Sequence, residues 1–140
     1  MTTSSPSFEA LRRGHVVLAP DPFTSPVPPD PFTSPVPPDP FTSHETTRPW
    51  AVCNNEHHPF DGRQYVVMGL TTRTWYDERV PIDEDEYRHR KAPRDSAIVP
   101  HAVASLSPAL MTDYVCRIRT DPLDRAVEIL TTYLDSASFP

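Results

Sequence analysis

A tandem repeat of nine residues limits where this chain can build regular structure. The motif DPFTSPVPP occupies residues 21–29, recurs unchanged at 30–38 and restarts as DPFTS at 39–43. Proline fixes its backbone angle φ and has no N–H to donate, so a segment this rich in proline cannot enter a helix or a sheet interior. The folded core must therefore come from roughly a hundred residues outside the repeat.

Two explanations of the repeat remain open. PVPPDP resembles the proline-rich ligands that aromatic-lined grooves bind, which would make the repeat a docking site. Alternatively, duplication has lengthened a surface loop, because the entropy of loop closure grows only slowly with length. In both cases we expect extended or disordered chain at the surface.

The size and the apolar pattern predict one small cytoplasmic domain. The chain has 140 residues and a mass of 15.8 kDa, which suits a single domain. No apolar run approaches the length of a membrane span, and the N-terminus has no apolar signal core, so no membrane association is expected. Cys53 and Cys116 lie in apolar, strand-like surroundings. Buried free thiols are therefore favoured over a disulfide.

The net charge of −6 opposes general binding to nucleic acid, which depends on neutralising phosphates. An acidic total still allows a local basic groove. The arginines that could supply one are Arg12, Arg13, Arg48, Arg63 and Arg73.

The centre of the chain predicts a pair of antiparallel strands. Two β-prone runs, at residues 50–53 and 65–70, flank a loop rich in Asn, Asp, Gly and Pro, which is typical of such a pair. Pro49 fits best at the first residue of its strand, where no N–H is needed. Arg48 would then begin one strand and Thr71 would end the other, so the two lie side by side.

The remaining segments predict further short strands and one helix. Strands are expected at 15–19, 80–82, 96–99, 101–106 and 114–118, with a solvated, mixed-charge loop over 78–94. Asp121 is the expected N-cap of a final helix and Pro122 its first residue. Its apolar stripe comprises Leu123, Ala126, Val127, Leu130 and Leu134.

This pattern predicts a mainly β fold with a C-terminal helix, an α+β arrangement in which a small, partly open barrel is capped by the helix. We expect a mobile N-terminal segment at 1–13, one barrel domain at 14–135 and a tail at 136–140. Within the domain, residues 20–47 form the repeat-expanded loop.

The order of the motifs resembles the MazF/PemK toxins, small endoribonucleases of toxin–antitoxin pairs. GHVVL at 14–18, RPWAV at 48–52 and VVMGLT at 66–71 carry the resemblance, which extends over about 14–134 once one insertion is allowed. His15 departs from it, because the family usually carries an acidic residue there. The resemblance implies an SH3-like barrel, a homodimer and a cognate antitoxin.

Arg48 and Thr71 are the catalytic candidates. RNA cleaves itself when a 2′-hydroxyl attacks the adjacent phosphate, and an enzyme must stabilise the resulting dianion. Arg48 offers a planar cationic fork to phosphate oxygens, and Thr71 could bond the phosphate or the leaving oxygen. The resemblance marks the same two residues. Without the resemblance, Arg48 could be explained as an ion-pairing residue at the start of a strand, and Thr71 as a simple hydroxyl group at the end of one.

The other candidate site residues concern RNA and metal binding. Arg63, Arg73 and Trp75 are the expected RNA contacts, because arginine binds phosphate and aromatic faces stack on bases. Trp50 is expected to be half-buried. His57 and His58 suggest a metal or an acid–base role, but they lie in the loop at the far end of the strand pair from Arg48. Neither a metal nor another cofactor is therefore expected.

The function that follows is a toxin-like endoribonuclease that cleaves single-stranded RNA, including mRNA, by metal-independent 2′-hydroxyl attack and is inhibited by a cognate antitoxin. The alternative is a catalytically inactive binding module on the same barrel, which would bind RNA, an antitoxin or a topoisomerase. A third reading is an interaction protein that works through its proline-rich loop.

Overall fold

Seven strands and one helix make up the regular structure described by the computed structural model, which covers residues 6–20, 47–72, 79–89 and 96–135. The nine-residue repeat lies outside these residues. The first strands along the chain are β1 (His15–Pro20), β2 (Thr47–Val52), β3 (Tyr65–Thr71) and β4 (Val80–Pro81). They are followed by β5 (Tyr87–His89), β6 (Ala97–Leu106), β7 (Asp113–Ile118) and the helix α1 (Thr120–Leu134).

The strands form one antiparallel sheet in the order β4-β6-β3-β2-β1-β7-β5. The strands nearest the repeat, β1 and β2, pair with each other through Val16–Ala51 to Pro20–Thr47. The sheet is curled into a half-barrel. The predicted mainly β fold with a C-terminal helix is confirmed.

Alternation along the central strands divides the core between the two faces of the sheet. Val16, Ala51 and Met68 belong to one buried cluster, together with Leu123 and Ala126 of α1. Their chain neighbours belong to a second cluster, which contains Leu11, Val17, Trp50, Val52, Tyr65 and Val67. Successive residues of a strand point to opposite faces. The near-continuous apolar runs of β1, β2 and β3 therefore reflect a sheet that is covered on both sides.

The β2–β3 pair is closed by one asparagine at the mouth of its loop. The ladder runs through Trp50–Gly69, Ala51–Met68 and Val52–Val67. Just beyond it, Asn54 Oδ1 accepts a hydrogen bond from the Val66 N–H at 2.9 Å. A side chain here takes the place of a backbone partner, as asparagine commonly does in turns.

Gly14 lets β1 begin where two other strands end. Its N–H donates to the Val52 carbonyl and its carbonyl accepts from the Ile118 N–H, each at 2.9 Å. Its φ is +102°, and a Cβ at this position would lie 2.5 Å from the Ile118 carbonyl oxygen. Only glycine adopts this conformation without strain and without that collision.

Two sequence expectations about the strands were wrong in detail. Pro100 does not separate two strands but lies within the single strand β6, because four residues of β6 bulge opposite Gly69 between the pairs Met68–Val103 and Leu70–Ile98. The charged 78–94 segment is not all loop, since part of it forms β5 and pairs with β7.

The segment before β1 contacts the barrel through Leu11. This residue is only 2% exposed, and its N–H donates to the Tyr65 hydroxyl at 3.1 Å. Burial of one leucine in the second core cluster fixes this segment to the barrel.

The C-terminal helix begins earlier than predicted. Arg119 is the N-cap and Thr120 the first helical residue, so Pro122 falls at the third helical position, which proline tolerates because first-turn N–H groups have no partner within the helix. Leu123 and Ala126 are fully buried, but Leu134 is 73% exposed. The predicted apolar stripe therefore leaves the core before the helix ends.

The described residues include no helix that is long and apolar enough to cross a membrane.

Candidate functional site

Arg48 and Thr71 lie at the open end of the β2–β3 ladder. The last paired residues at this end are Trp50 and Gly69. Arg48 lies two residues before Trp50, and Thr71 lies two residues after Gly69. The strand pairing therefore brings the guanidinium-bearing residue and the hydroxyl-bearing residue to the same end of the sheet, as the sequence predicted.

The side chain of Arg48 rests on Gly69. A Cβ built on Gly69 would lie 3.3 Å from Arg48 Cδ and 3.4 Å from one of its terminal nitrogens. The same Cβ would lie 3.4 Å from the Ala102 Cβ. A Cβ at this position would require the arginine to shift by a few tenths of an ångström, so Gly69 provides a close seat for the Arg48 side chain.

The two catalytic candidates differ in solvent exposure. Arg48 is half-buried, which leaves part of the cation accessible while its aliphatic stem packs. Thr71 is only 7% exposed and pairs with Ala97 of β6. The threonine is thus a fixed part of the sheet, and the arginine is the more accessible group of the pair.

Trp50 is more deeply buried than the sequence predicts. The sequence predicts a half-buried ring, but Trp50 is 0% exposed and its indole N–H donates to the Ala19 carbonyl at 3.3 Å. The ring lies in the second core cluster because β2 is a central strand with both faces covered. It offers no surface to a base in this conformation.

Of the predicted RNA contacts, Arg63 is the one that the structure describes, and it lies away from Arg48. Arg63 is exposed in the β2–β3 loop, at the end of the ladder opposite Arg48. Its backbone N–H donates to the Phe60 carbonyl at 2.8 Å. Arg73 and Trp75 lie outside the described residues. Their contact with RNA stays a prediction.

The arginines of the expected basic groove fall into separate groups. Arg12 and Arg13 precede β1 and share the far end of the sheet with Arg117 of β7. Arg48 lies at the other end of β1, where it pairs with Ala19. The described arginines of the expected groove therefore lie at opposite ends of the sheet.

Two of the histidines, His15 and His58, make side-chain contacts that explain them structurally. His15 is 8% exposed, its Nδ1 accepts the Arg12 N–H at 2.8 Å, and its ring meets Tyr114 edge-on with centroids 5.7 Å apart. At the position where the resemblance leads one to expect an acid, His15 thus holds the entrance of β1. His58 Nδ1 accepts the Phe60 N–H at 3.0 Å within the β2–β3 loop.

No group of three His, Cys, Asp or Glu side chains suited to a metal ion occurs in the described part of the chain. Both cysteines are free, which confirms the expected thiols. Burial raises the pKa of Cys53 from 9.0 to about 11 and that of Cys116 to about 12. Both sulfurs are thus protonated near neutral pH and serve as packing groups.

Gly69 is the site residue that sequence reasoning missed. A glycine inside a strand signals a bulge or the close approach of another group, and Gly69 interrupts an otherwise apolar run. That signal could have indicated a seat, but nothing in the sequence identifies Arg48 as its occupant, because the contact depends on how β2 and β3 pair.

Comparison with known proteins gives structural matches only. No family model matches the chain, and no curated protein sequence matches it. An endoribonuclease solved with its cognate antitoxin from a mycobacterial species is 17% identical, with a TM-score of 0.56 over 94% of this chain and 98% of that one. MazF from the MazE–MazF complex of Deinococcus radiodurans is 14% identical, with a TM-score of 0.58 over 89% and 95%.

A second mycobacterial endoribonuclease gives a similar result, with 16% identity and a TM-score of 0.55 over 89% of this chain and 91% of that one. These matches define a class, the small curled antiparallel sheets with one C-terminal helix. Within that class the chain has the MazF fold. The resemblance drawn from the sequence motifs is confirmed at the level of the fold.

Proposed function

We propose that this chain is a toxin-like endoribonuclease that cleaves single-stranded RNA such as mRNA and is held inactive by a cognate antitoxin. The observation that carries the proposal is the seating of Arg48 on Gly69 at the open end of the β2–β3 ladder, with Thr71 at the same end. The fold supports it, because the similar structures are described as endoribonucleases, one of them with its cognate antitoxin.

The proposed reaction is attack by a ribose 2′-hydroxyl on the adjacent phosphorus. The new O–P bond forms as the bond to the 5′-oxygen of the next nucleotide breaks, and the hydroxyl proton is lost as the leaving oxygen gains one. The products are a 2′,3′-cyclic phosphate and a 5′-hydroxyl. Two negative charges develop on the non-bridging oxygens in the transition state, and their stabilisation is the main task for the protein.

Arg48 is suited to that task because its charge is permanent and its position is fixed. The guanidinium can give two parallel N–H bonds to phosphate oxygens. Its packing on Gly69 means that little conformational freedom is lost when it binds the transition state. Since a side chain supplies the charge, the proposed cleavage needs no divalent ion.

Thr71 is proposed to assist at the phosphate or the leaving oxygen. It ends β3, which keeps it near Arg48, but at 7% exposure its hydroxyl has a narrow approach. Its effect is therefore expected to be smaller than that of Arg48.

The partners follow from the same proposal. An antitoxin is expected because the mycobacterial and Deinococcus structures were solved with antitoxins or as MazE–MazF, and it would act by covering the Arg48 end of the sheet. A homodimer is proposed because the end of α1 leaves Tyr133 and Leu134 exposed, at 44% and 73%. A substrate such as mRNA places the protein in the cytoplasm.

The test is RNA cleavage in the presence of EDTA. Purified protein is incubated with single-stranded RNA alongside the variants Arg48→Ala and Arg88→Ala; Arg88 is an exposed arginine of β5 with no proposed role. We expect cleavage by the wild type and by Arg88→Ala, and a loss of about 100-fold or more in Arg48→Ala. Cleavage that appears only with an added divalent ion contradicts the mechanism.

The alternative function is a binding module without catalysis on the same barrel, and the low exposure of Thr71 favours it. In that case Arg48 would bind phosphate without the second group needed for reaction. RNA binding that depends on Arg48, with no cleavage by wild-type protein under any ionic condition, would establish the alternative and exclude the endoribonuclease.

A further inference from the structure

A cavity of about 510 Å³ opens at the end of the sheet that is remote from Arg48. Its walls come from the segment before β1, the start of the β2–β3 loop, the end of β7 and the first residue of α1. The volume falls within the range of pockets that hold small molecules. None of the residues to which the proposed cleavage assigns a role lines it.

Two arginines of the cavity have no acceptor for their side chains among the described residues. Neither Arg12 nor Arg117 forms an ion pair with another described residue. The Nε of Arg117 is buried and has no hydrogen-bond partner among the described residues. The guanidinium of Arg117 thus lines the cavity without an internal acceptor among the described residues, and charged donors of this kind favour an acceptor.

The third arginine of the cavity has a structural task. Arg13 Nε donates to the Cys53 carbonyl at 2.9 Å, and one terminal nitrogen forms an ion pair with Asp124 of α1 at 2.6 Å. Arg13 thereby joins the start of β1, the end of β2 and the helix. Arg13 thereby stabilises the wall of the cavity beside Arg12 and Arg117.

The polar groups of the cavity suit an anion that also carries hydrogen-bonding groups. Three arginines face two carboxylates, those of Glu56 and Asp61, so the lining has an excess of one positive charge in a chain whose net charge is −6. The side chains of Asn54, Asn55 and Thr120 also line it. Amides and carboxylates can recognise the edges of a base, whereas the arginines suit phosphate.

The cavity is separated from the proposed catalytic end by the length of β1. Arg117 pairs with His15 at the start of that strand, and Arg48 pairs with Ala19 near its end. Four residue steps at about 3.3 Å each place the two arginines roughly 13 Å apart along the strand.

We propose that this cavity is a second anion site, which binds the phosphate group of a nucleotide through Arg117 and Arg12. The phosphate comes either from a free nucleotide or from a nucleotide of a bound RNA strand that lies away from the cleaved bond. Arg117 donates N–H groups of its guanidinium to the phosphate oxygens, and Arg12, which is exposed, donates to them from the rim of the cavity. The inference does not require that the protein cleaves RNA.

The experiment follows the Nε–H resonance of Arg117 by ¹H–¹⁵N NMR of the full chain during titration with inorganic phosphate and then with AMP. We expect both to shift this resonance, with AMP binding more tightly. Arg117→Gln and Arg12→Gln should each weaken AMP binding, measured by calorimetry, by about tenfold or more. Arg88→Gln, which removes the same charge from β5, should change it less than about twofold.

A 2′-O-methylated oligoribonucleotide, which cannot undergo 2′-hydroxyl attack, separates the two sources of phosphate. If the strand supplies it, the oligonucleotide shifts the Arg117 resonance and Arg117→Gln weakens its binding. If a free nucleotide supplies it, AMP shifts the resonance and the oligonucleotide does not. Both outcomes support the site, and neither depends on cleavage.

The proposal is overturned if neither phosphate nor AMP shifts the Arg117 resonance, or if Arg88→Gln weakens AMP binding as much as Arg117→Gln. Because Arg117 is partly buried, Arg117→Lys provides a second variant that keeps the charge and loses Nε. Binding by a folded Arg117→Lys at the strength of the wild type would also overturn it, since the planar guanidinium would then have no part in recognition.

Discussion

Arg48 combines a permanent charge with a fixed seat, and each property can be changed separately. Lysine keeps the charge but lacks the planar fork that contacts two phosphate oxygens. Arg48→Lys is therefore expected to keep some activity and to lie between the wild type and Arg48→Ala in kcat/KM for RNA cleavage. A lysine variant with full activity would show that only a positive charge is needed, and that the fork is not used.

The seat is tested by Gly69→Ala. The added Cβ would lie 3.3 Å from Arg48 Cδ and 3.4 Å from the Ala102 Cβ, so the arginine must move by a few tenths of an ångström. We expect kcat/KM to fall by about tenfold, because small misplacements of a catalytic group are costly. The melting temperature is the control and should not fall, since alanine restricts the unfolded chain more than glycine does. Unchanged activity would mean that the seat does not position the guanidinium.

The buried thiols predict a loss of stability in alkaline solution. Burial raises the pKa of Cys116 from 9.0 to about 12, so the unfolded chain releases this proton at a lower pH than the folded chain. The contribution to stability is complete below pH 9 and is lost as the pH rises toward 12. Urea unfolding between pH 8 and 11 should show a shallower decline for Cys116→Ala than for the wild type. Equal slopes would contradict the assignment.

Among the elements, the β2–β3 pair was predictable and the far strands were not. Residues 50–53 and 65–70 carry both the β-prone side chains and the turn residues between them, so local sequence determines the pairing. Strand β5 was hidden because its sequence, Tyr87–His89, lies in a charged run. Its pairing with β7 is a long-range contact that no local pattern reveals. Trp50 was misjudged for a related reason, since full burial depends on the strands that flank β2.

Gly14 controls how β1 enters the sheet, and its replacement by alanine tests this role. Gly14→Ala places a Cβ 2.5 Å from the Ile118 carbonyl oxygen at a φ of +102°. We expect the free energy of unfolding in urea to fall by about 2 kcal/mol or more. The matched control is Gly62→Ala, where φ is +88° but the nearest atom, the Glu9 carbonyl oxygen, lies at 3.0 Å. If the control is destabilised as much as Gly14→Ala, the close approach to β7 is unimportant.

For the molecule as a whole, the exposed end of α1 predicts self-association. Light scattering at micromolar concentration should give about twice the chain mass of 15.8 kDa. Leu134→Ser, which removes an apolar side chain that is 73% exposed, should shift the protein toward the monomer. Leu110→Ser is the control, because Leu110 is also exposed, at 48%, but lies before β7. A wild-type monomer, or dissociation by the control alone, would contradict this interface.

The fold class could be predicted from the sequence, because strand periodicity, one amphipathic helix and the order of three short motifs all indicate it. The position of the candidate site was accessible for the same reason, since Arg48 and Thr71 adjoin the ends of two strongly patterned strands. Three features could not be predicted from the sequence: the seat on Gly69, the cavity at Arg117 and the separation of the arginines between the two ends of the sheet. Each depends on how distant strands meet, which composition and spacing do not specify.

The most direct test of the central proposal is the chemistry of the cleaved ends. Wild-type protein in EDTA is given an RNA oligonucleotide and, separately, the same oligonucleotide with a single 2′-deoxy nucleotide before the cleaved bond, and the products are identified by mass spectrometry. If Arg48 promotes 2′-hydroxyl attack, the RNA yields a 2′,3′-cyclic phosphate and a 5′-hydroxyl, the 2′-deoxy substitution abolishes that cut, and Arg48→Ala leaves the RNA intact. A 5′-phosphate product, a cut beside the 2′-deoxy nucleotide or full activity of Arg48→Ala would contradict the proposal.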